Sequence, residues 1–345
     1  MDYLITIAGL VLLLAGGEGL VRGAVGIARR ARISPMIVGL TIIGFGTSAP
    51  ELVVSVDAVL SGIPGLAVGN VIGSNIANMM LVVGVAAIIT PLAVHRDVLV
   101  RDSVVLVGAT LLFVAIALGG TAVWQHGLVM LIALAFYLGY SLWVDRRRTT
   151  GAAKLHSEEA EEVETGLPER LDVLIGTTLI GLAALIGGSR LAVMGATAIA
   201  RDYGVSEELI GLTLVAIGTS LPELATAVIA ARRGHDDVCI GNVIGSSIFN
   251  LLAITGAAAI AGPLPFSATI VSFDIWALLG VTLLLIVVML TDRKITRLEG
   301  MVLVSLYALY IGIHLYEFGS AEQVQIDMRL PGRSIGPRAR HYGAL

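Results

Sequence analysis

Two short stretches of the chain set acids and hydroxyls inside apolar surroundings, and they are nearly the same stretch: GFGTSAPEL at 44–52 and AIGTSLPEL at 216–224. Each carries a glutamate, Glu51 or Glu223, within an apolar run long enough to cross a bilayer. An ionisable group at that depth costs several kcal/mol and marks a functional site by default. Thr47 and Ser48 stand four and three residues before Glu51, so all three share one helical face, and Thr219, Ser220 and Glu223 repeat the arrangement. Pro50 has no N–H, which strips the carbonyl of Gly46 of its helical partner; Pro222 does the same to Gly218. Bare carbonyls are tolerated at membrane depth only where protein or a water-filled cavity receives them. Hydroxyls, loosened carbonyls and a carboxylate make an all-oxygen cluster with no thiol or imidazole. Such a set suits hard cations such as Ca²⁺ and Na⁺ rather than zinc or copper.

A second pair of stretches adds donors. GNVIGSNIAN at 69–78 and GNVIGSSIFN at 241–250 place Ser74 and Asn78, and likewise Ser246 and Asn250, four residues apart on one face. Asn70 and Asn242 serve helix packing or ligation equally well on this reading. Gly69, Gly73, Gly241 and Gly245 form small-xxx-small pairs that allow close helix approach at the midplane. Two carboxylates balance one Ca²⁺, and two or three Na⁺ fit the same oxygens. Mutually exclusive occupancy of one site that opens to either side in turn is antiport. A channel is the rival of the same chemistry, but a central acid pair binds too tightly for fast conduction. No Ser/His/Cys triad, HExxH or P-loop lies at depth, so the sequence points to no enzyme, catalytic residue or cofactor.

The elements that position these residues are membrane helices. The chain has 345 residues, 56% hydrophobic and 14% charged, where a soluble domain carries about 25% charged residues, and the mean hydropathy is +0.91. Apolar runs of about 20 residues, each enough for a hydrocarbon core about 30 Å thick, predict an all-α polytopic membrane protein. Ten spans are expected at 2–29, 34–60, 64–90, 98–118, 123–144, 171–200, 206–231, 237–261, 271–291 and 298–317. The first lacks a basic n-region and reads as a retained helix rather than a cleaved signal. A polar linker occupies 145–170 and a polar tail 318–345. Cys239 is the single cysteine, so no intramolecular disulfide forms.

Basic residues follow alternate spans: Arg29, Arg30 and Arg32; Arg96 and Arg101; Arg146, Arg147, Arg148 and Lys154; Arg232 and Arg233; Arg293, Lys294 and Arg297. The positive-inside rule puts those loops, and the central linker, in the cytoplasm of a plasma (inner) membrane, with the N-terminus outside. Arg329, Arg333, Arg338 and Arg340 in the tail run against this: the tail translocates despite them, or the span count is off by one.

A shift of 172 residues lays the two halves on each other: 21 of the 46 positions from Gly39 to Gly84 coincide without a gap. Ser34 falls on Ser206, and GIAR at 26–29 on AIAR at 198–201. Each half (1–144 and 171–317, with their repeated motifs at 39–84 and 211–256) is expected to hold five spans. An odd number makes the second copy enter from the opposite side, the inverted-repeat plan of many secondary transporters.

Other polar residues carry weaker signals. Asp57 reads as a solvated helix end or an entry-path charge. Glu18 and Arg190 are repeat equivalents that could pair with each other. SEEAEEVE at 157–164 lacks the spacing and turn glycine of an EF-hand and reads as a solvated loop. His314 reads as packing, and His235, Asp236 and Asp237 as solvated.

GTSxPEL twice and GNVIGS twice resemble the two alpha repeats of the Ca²⁺/cation antiporter superfamily, the sodium/calcium exchangers, and most of all the prokaryotic ten-helix members. The resemblance covers residues 1–317 apart from the linker. It implies a Na⁺/Ca²⁺ antiporter whose partners are the two ions and the bilayer, with no nucleic acid or obligate protein partner. It implies Glu51 and Glu223 as central Ca²⁺ ligands, aided by the carbonyls of Thr47 and Thr219. Ser48, Ser74 and the Gly44 carbonyl would line an inner sodium site, and Ser220, Ser246 and the Ala216 carbonyl an outer one. Asn78 and Asn250 would border the middle. The first helix of each half would slide as a gate. Some relatives, potassium-dependent exchangers among them, carry an aspartate where this chain has Asn250. Its loss weakens the case for K⁺ co-transport and for a strongly bound extra cation. It points to K⁺-independent exchange, with H⁺/Ca²⁺ antiport on the same fold as the alternative.

Overall fold

The structure is a computed structural model. It describes residues 1–31, 35–94, 101–161, 170–203 and 216–329, with the backbone alone described at 35–36, 145–161, 200–201, 216–217 and 317–329. Ser34, Ser206, the GLT of 211–213, residues 162–169 and the tail from 330 lie outside the described residues.

Apolar composition without a strong amphipathic stripe gives helices that are buried or face lipid. The first half runs α1 (Asp2–Ala31), α2 (Gly39–Thr47), α3 (Ala49–Leu60), α4 (Pro64–Ile89), β1 (Leu92–Ala93), α5 (Ser103–Leu118), β2 (Thr121–Ala122) and α6 (Trp124–Glu161). The second runs α7 (Leu171–Asp202), α8 (Ala216–Thr219), α9 (Leu221–Arg232), α10 (Asp236–Ala261), β3 (Leu264–Pro265), α11 (Ile275–Leu290), β4 (Lys294–Ile295) and α12 (Arg297–Arg329). Among the described residues, seven helices are long and apolar enough to cross a membrane, or eight if the bent pair α2 and α3 counts as one span. The chain is a multi-pass integral membrane protein. The helices α6 and α12 continue past the expected span ends at 144 and 317, to Glu161 and Arg329, so the start of the polar linker and of the tail is helical.

The 172-residue shift carries element onto element: α3 onto α9, α5 onto α11, and β1 onto β3. The contacts, however, cross between halves. Strand β1 pairs with β4, and β2 with β3. Gly84 of α4 meets the Gly300 carbonyl and Val304 of α12, while Gly256 of α10 meets the Gly127 carbonyl and Leu131 of α6. The hydroxyls of Thr110 and Thr282, themselves 172 residues apart, touch each other at 3.3 Å.

The broken helices and the long α4 and α10 form the buried centre. The helices α1 and α7 pair along one side, and their outer residues Leu10, Leu14, Leu179 and Ile180 are exposed. Glycines bring the two backbones together. A Cβ on Gly16 would stand 2.6 Å from the Leu185 nitrogen, and one on Gly188 2.6 Å from that of Leu13. Small residues at a membrane helix interface gain dispersion by such close approach.

Three sequence readings change here. Glu18 pairs with Arg22 and Arg233 rather than with Arg190, because α1 lies along α9. Asp236 accepts the Ala93 N–H of β1, so it is a structural cap on that strand, not merely solvated. His314 is more than packing: its Nε2 lies 2.9 Å from Asp274, which also accepts from Tyr310. Asp274 and its repeat counterpart Asp102, held by Arg101 and Tyr137, tie the last two helices of each half together.

Since a Cβ at position 16 meets backbone that cannot yield, Gly16→Val is expected to destabilise the fold by about 1–3 kcal/mol, while Gly280→Val, on an exposed face with no described atom within 4 Å, stays near neutral. Thermal unfolding in detergent would check the contrast.

Candidate cation site

The break between α2 and α3 is built by sequence in two steps. Ser48 leaves helical geometry, at φ −86° and ψ 4°, and serves as N-cap of α3. Pro50 then falls in the first turn of the restarted helix, where its missing N–H would have had no partner within that helix. The two segments meet at a 47° bend. Ser220 adopts φ −88° and ψ 3° and caps α9 in the same way, with Pro222 in its first turn. The acid follows one residue after each proline, at the mouth of the break.

The helices α4 and α10 widen where they pass the breaks. Each opens into one π-turn, at Asn78–Val82 and at Asn250–Ile254, and each turn begins on an asparagine singled out by its spacing. A π-turn inserts one extra residue into a helix and is common at functional sites. The turn at Gly39–Ile43 does the same within α2.

These elements bring the sequence-predicted residues together. Glu51, Glu223, Thr47, Ser48, Asn78, Ser246 and Asn250 have no exposed surface, and Ser74 and Ser220 are buried. Thr219 is half-buried. Ser48 of the first half donates to Glu223 Oε1 of the second at 3.0 Å. Asn250 donates through Nδ2 to Ser74 Oγ at 3.0 Å. Ser246 donates to the Gly44 carbonyl at 3.2 Å, although the family resemblance groups Gly44 with Ser48 and Ser74. Thr47 donates to that carbonyl at 3.4 Å, and to Asn242 Oδ1 at 3.5 Å. The backbone of Ala216 stands at the start of α8, while its side chain is not among those described. Asn70 donates to the Glu51 carbonyl and to Ser55, so it braces the first break from outside the cluster. Gly245 packs on the Leu40 backbone, as its spacing predicts; the counterpart of that contact for Gly73 would fall on Leu212, outside the described residues.

What the cluster leaves unmade matters more. Among the described residues, Glu51 Oε1 and Oε2, Glu223 Oε2, Asn78 Oδ1, Ser220 Oγ and Asn250 Oδ1 are buried without a hydrogen-bond partner. Native proteins leave few such groups, and each has a cause. The repeat counterparts of the bonds that are made, Ser220 to Glu51 and Asn78 to Ser246, are missing, so the cluster is lopsided. Among the described residues no group of three or more His, Cys, Asp or Glu forms a site. The donors are two acids with neutral oxygens around them.

A membrane-embedded oxygen cluster at paired helix breaks is the mark of a transporter of hard cations. Comparison with known proteins makes the class specific. The sequence model of the family described as sodium/calcium exchanger protein matches residues 1–143 and 173–316, and this chain belongs to that family. Its members are cation antiporters, transport proteins rather than enzymes, that carry Ca²⁺ and Na⁺. The chain is 30% identical over 353 residues to sodium/calcium exchanger MaX1 of Methanosarcina acetivorans, covering 92% of this chain and 99% of that one. It is 35% identical to inner membrane protein YrbG of Escherichia coli, over 74% of this chain and 79% of that one. The solved structure of the sodium–calcium exchanger NCX_Mj soaked with Na⁺ and Ca²⁺ superposes with a TM-score of 0.77 at 30% identity, covering 90% of this chain and 97% of that one.

Asp102, Asp274 and Ser189 escaped the sequence reading. The 172-residue shift lays Asp102 on Asp274, a signal that was there to be found; Ser189 falls on Gly17, and no sequence signal marks it. Pro50→Ala would return an N–H to the Gly46 carbonyl and straighten the break. Expected is a smaller rise in melting temperature on adding Ca²⁺ than the wild type shows, read by thermal unfolding with and without the ion.

Proposed function

We propose that this chain exchanges Ca²⁺ for Na⁺, without K⁺, by alternating access at one shared midplane site. The observation that carries the reading is the set of six partnerless buried oxygens on Glu51, Glu223, Asn78, Ser220 and Asn250. Two unpaired carboxylates in a low-dielectric interior repel each other and cost several kcal/mol apiece until a cation joins them. Six oxygens fall within the six to eight that Ca²⁺ takes, and the same donors suit Na⁺. One Ca²⁺ balances the charge of the pair, and two or three Na⁺ could occupy the same oxygens. If three Na⁺ replace one Ca²⁺, one net charge moves per cycle, worth about 2.3 kcal/mol per 100 mV.

The ligands in this reading are Glu51 and Glu223 at the centre, with the hydroxyls of Ser48, Ser74, Ser220 and Ser246, the amide oxygens of Asn78 and Asn250, and carbonyls of Gly44, Thr47, Ala216 and Thr219. Asn250 stands where potassium-dependent relatives hold an aspartate. The pair therefore carries two charges and not three, which leaves no third charge for K⁺ to balance. The frame is ten spans in two inverted units of five, 1–144 and 171–317, joined by a cytoplasmic linker. The crossed pairings β1–β4 and β2–β3 and the Thr110–Thr282 contact support a twofold relation between the units. The basic loops support an inner-membrane protein with its N-terminus outside and its linker in the cytoplasm.

H⁺/Ca²⁺ antiport is the second reading. It is favoured by the Glu51 carboxylate lying buried with neither oxygen hydrogen-bonded among the described residues, where a proton could stand in for Na⁺. Proteoliposomes loaded with Na⁺ are expected to take up ⁴⁵Ca from sodium-free buffer whether or not K⁺ is present. Loss of one of two balancing carboxylates costs about 3 kcal/mol or more, so Glu51→Gln and Glu223→Gln should each cut uptake on the order of 100-fold. A demand for K⁺, or uptake driven equally by a pH gradient without Na⁺, would count against Na⁺/Ca²⁺ exchange.

A further inference from the structure

The two halves share their elements but not their fastenings. The pair α1 and α7 rests on the broken helices, and both of its polar ties go to the second break. The Ser189 hydroxyl of α7 donates to the Gly218 carbonyl at 2.6 Å, the very carbonyl that Pro222 deprives of its helical partner. Glu18 of α1 forms an ion pair with Arg233, just past the end of α9, and its Oε1 lies 2.6 Å from Arg22 as well. Both groups are about one-third exposed, so water screens the pair in part.

Among the described residues, neither tie has a counterpart at the first break. The position of Ser189 is held there by Gly17, which has no hydroxyl, and Arg233 falls on Ser61, opposite Arg190 in place of Glu18. The apolar packing is one-sided in the same sense. Gly17 of α1 sits against the buried Ile229 of α9. The repeat equivalent of Ile229 is Asp57 on α3, and it is exposed. The pair α1 and α7 is thus drawn against α9 at the end of the molecule that carries Arg29, Arg30 and Arg233. At the first break the described contact is apolar alone, Leu182 of α7 against Gly46.

We infer that Ser189 and the Glu18–Arg233 ion pair form a one-sided latch that favours the access state closed at the basic-loop end. The inference rests on the antiport reading, since alternating access requires one body to rock against another around the site. Exchange of the two states breaks both ties, and the first break offers neither a counterpart; Glu18 keeps Arg22 within α1, so the loss of Arg233 enters the equilibrium between states only in part. Ser189 and Arg233 are positioning residues; they touch none of the six partnerless oxygens.

Spin labels on exposed Leu10 of α1 and Leu111 of α5, in a Cys239→Ala background, would report the distance between the pair and the body by pulsed electron–electron resonance. The wild type should show one dominant distance. Ser189→Gly and Arg233→Ser, which install the repeat counterparts, and Glu18→Gln should each raise a second population by about fivefold, the weight of one net hydrogen bond. Arg233→Lys, which keeps the charge, should leave the wild-type pattern. The same variants in proteoliposomes should bring the half-saturating Ca²⁺ concentrations at the two faces closer together, with exchange retained. Unchanged distances in well-folded variants, two equal populations in the wild type, or Arg233→Lys behaving as Arg233→Ser would overturn the latch. Shifted distances in a protein that moves no ⁴⁵Ca would leave the latch standing and remove the antiport reading instead.

Discussion

Two carboxylates that no solvent reaches and no counter-charge neutralises govern this structure. Glu51 and Glu223 lie without exposed surface, and three of their four oxygens have no partner. A protein interior punishes such an arrangement, because the desolvation of each charge exceeds what isolated neutral neighbours return. The rest of the fold reads as the apparatus that makes it tolerable: breaks that turn hydroxyls and carbonyls inward, π-turns that present amides, and glycine faces that let helices close around them.

The helix breaks show how one device does two jobs. A proline in the first turn of α3 or α9 lets the helix restart without strain, and it leaves a carbonyl in the preceding segment unsatisfied. At the second break Ser189 takes up that carbonyl. The other carbonyl facing the centre, that of Gly44, is met by Ser246 and Thr47. Backbone polarity is therefore met inside the protein, as bilayer physics demands, and beside the proposed cation site.

Near-symmetry with local exceptions is the second theme. The crossed strand pairs and reciprocal glycine contacts repeat across the halves. The hydrogen bonds within the cluster do not: Ser48 reaches Glu223, whereas Ser220 reaches nothing. In the proposed antiport a perfectly symmetric pair of halves would make the two access states equal in energy, and the inferred latch places the imbalance at the unmatched residues, Gly17 against Ser189 and Ser61 against Arg233.

The membrane-helix class, the 172-residue sequence repeat and the helix breaks at Ser48 and Ser220 were legible in the sequence, because hydropathy, spacing and proline chemistry act locally. Helix periodicity set Ser48 on one face with Glu51, but Ser48 stands in the break itself and its hydroxyl donates to Glu223. The sequence could not say which half's hydroxyl meets which half's acid, because Ser48 and Glu223 are 175 residues apart and are joined only by packing. For the same reason it could offer Glu18 only its repeat equivalent Arg190 as a candidate partner, when the approach of α1 to α9 gives it Arg233, and it read His314 as packing when Asp274 stands at the start of the preceding helix. Local rules fix which groups a membrane helix carries and where it breaks; the partners of those groups are fixed by close approach of distant helices, and that is decided by the whole set of small residues and contacts at once.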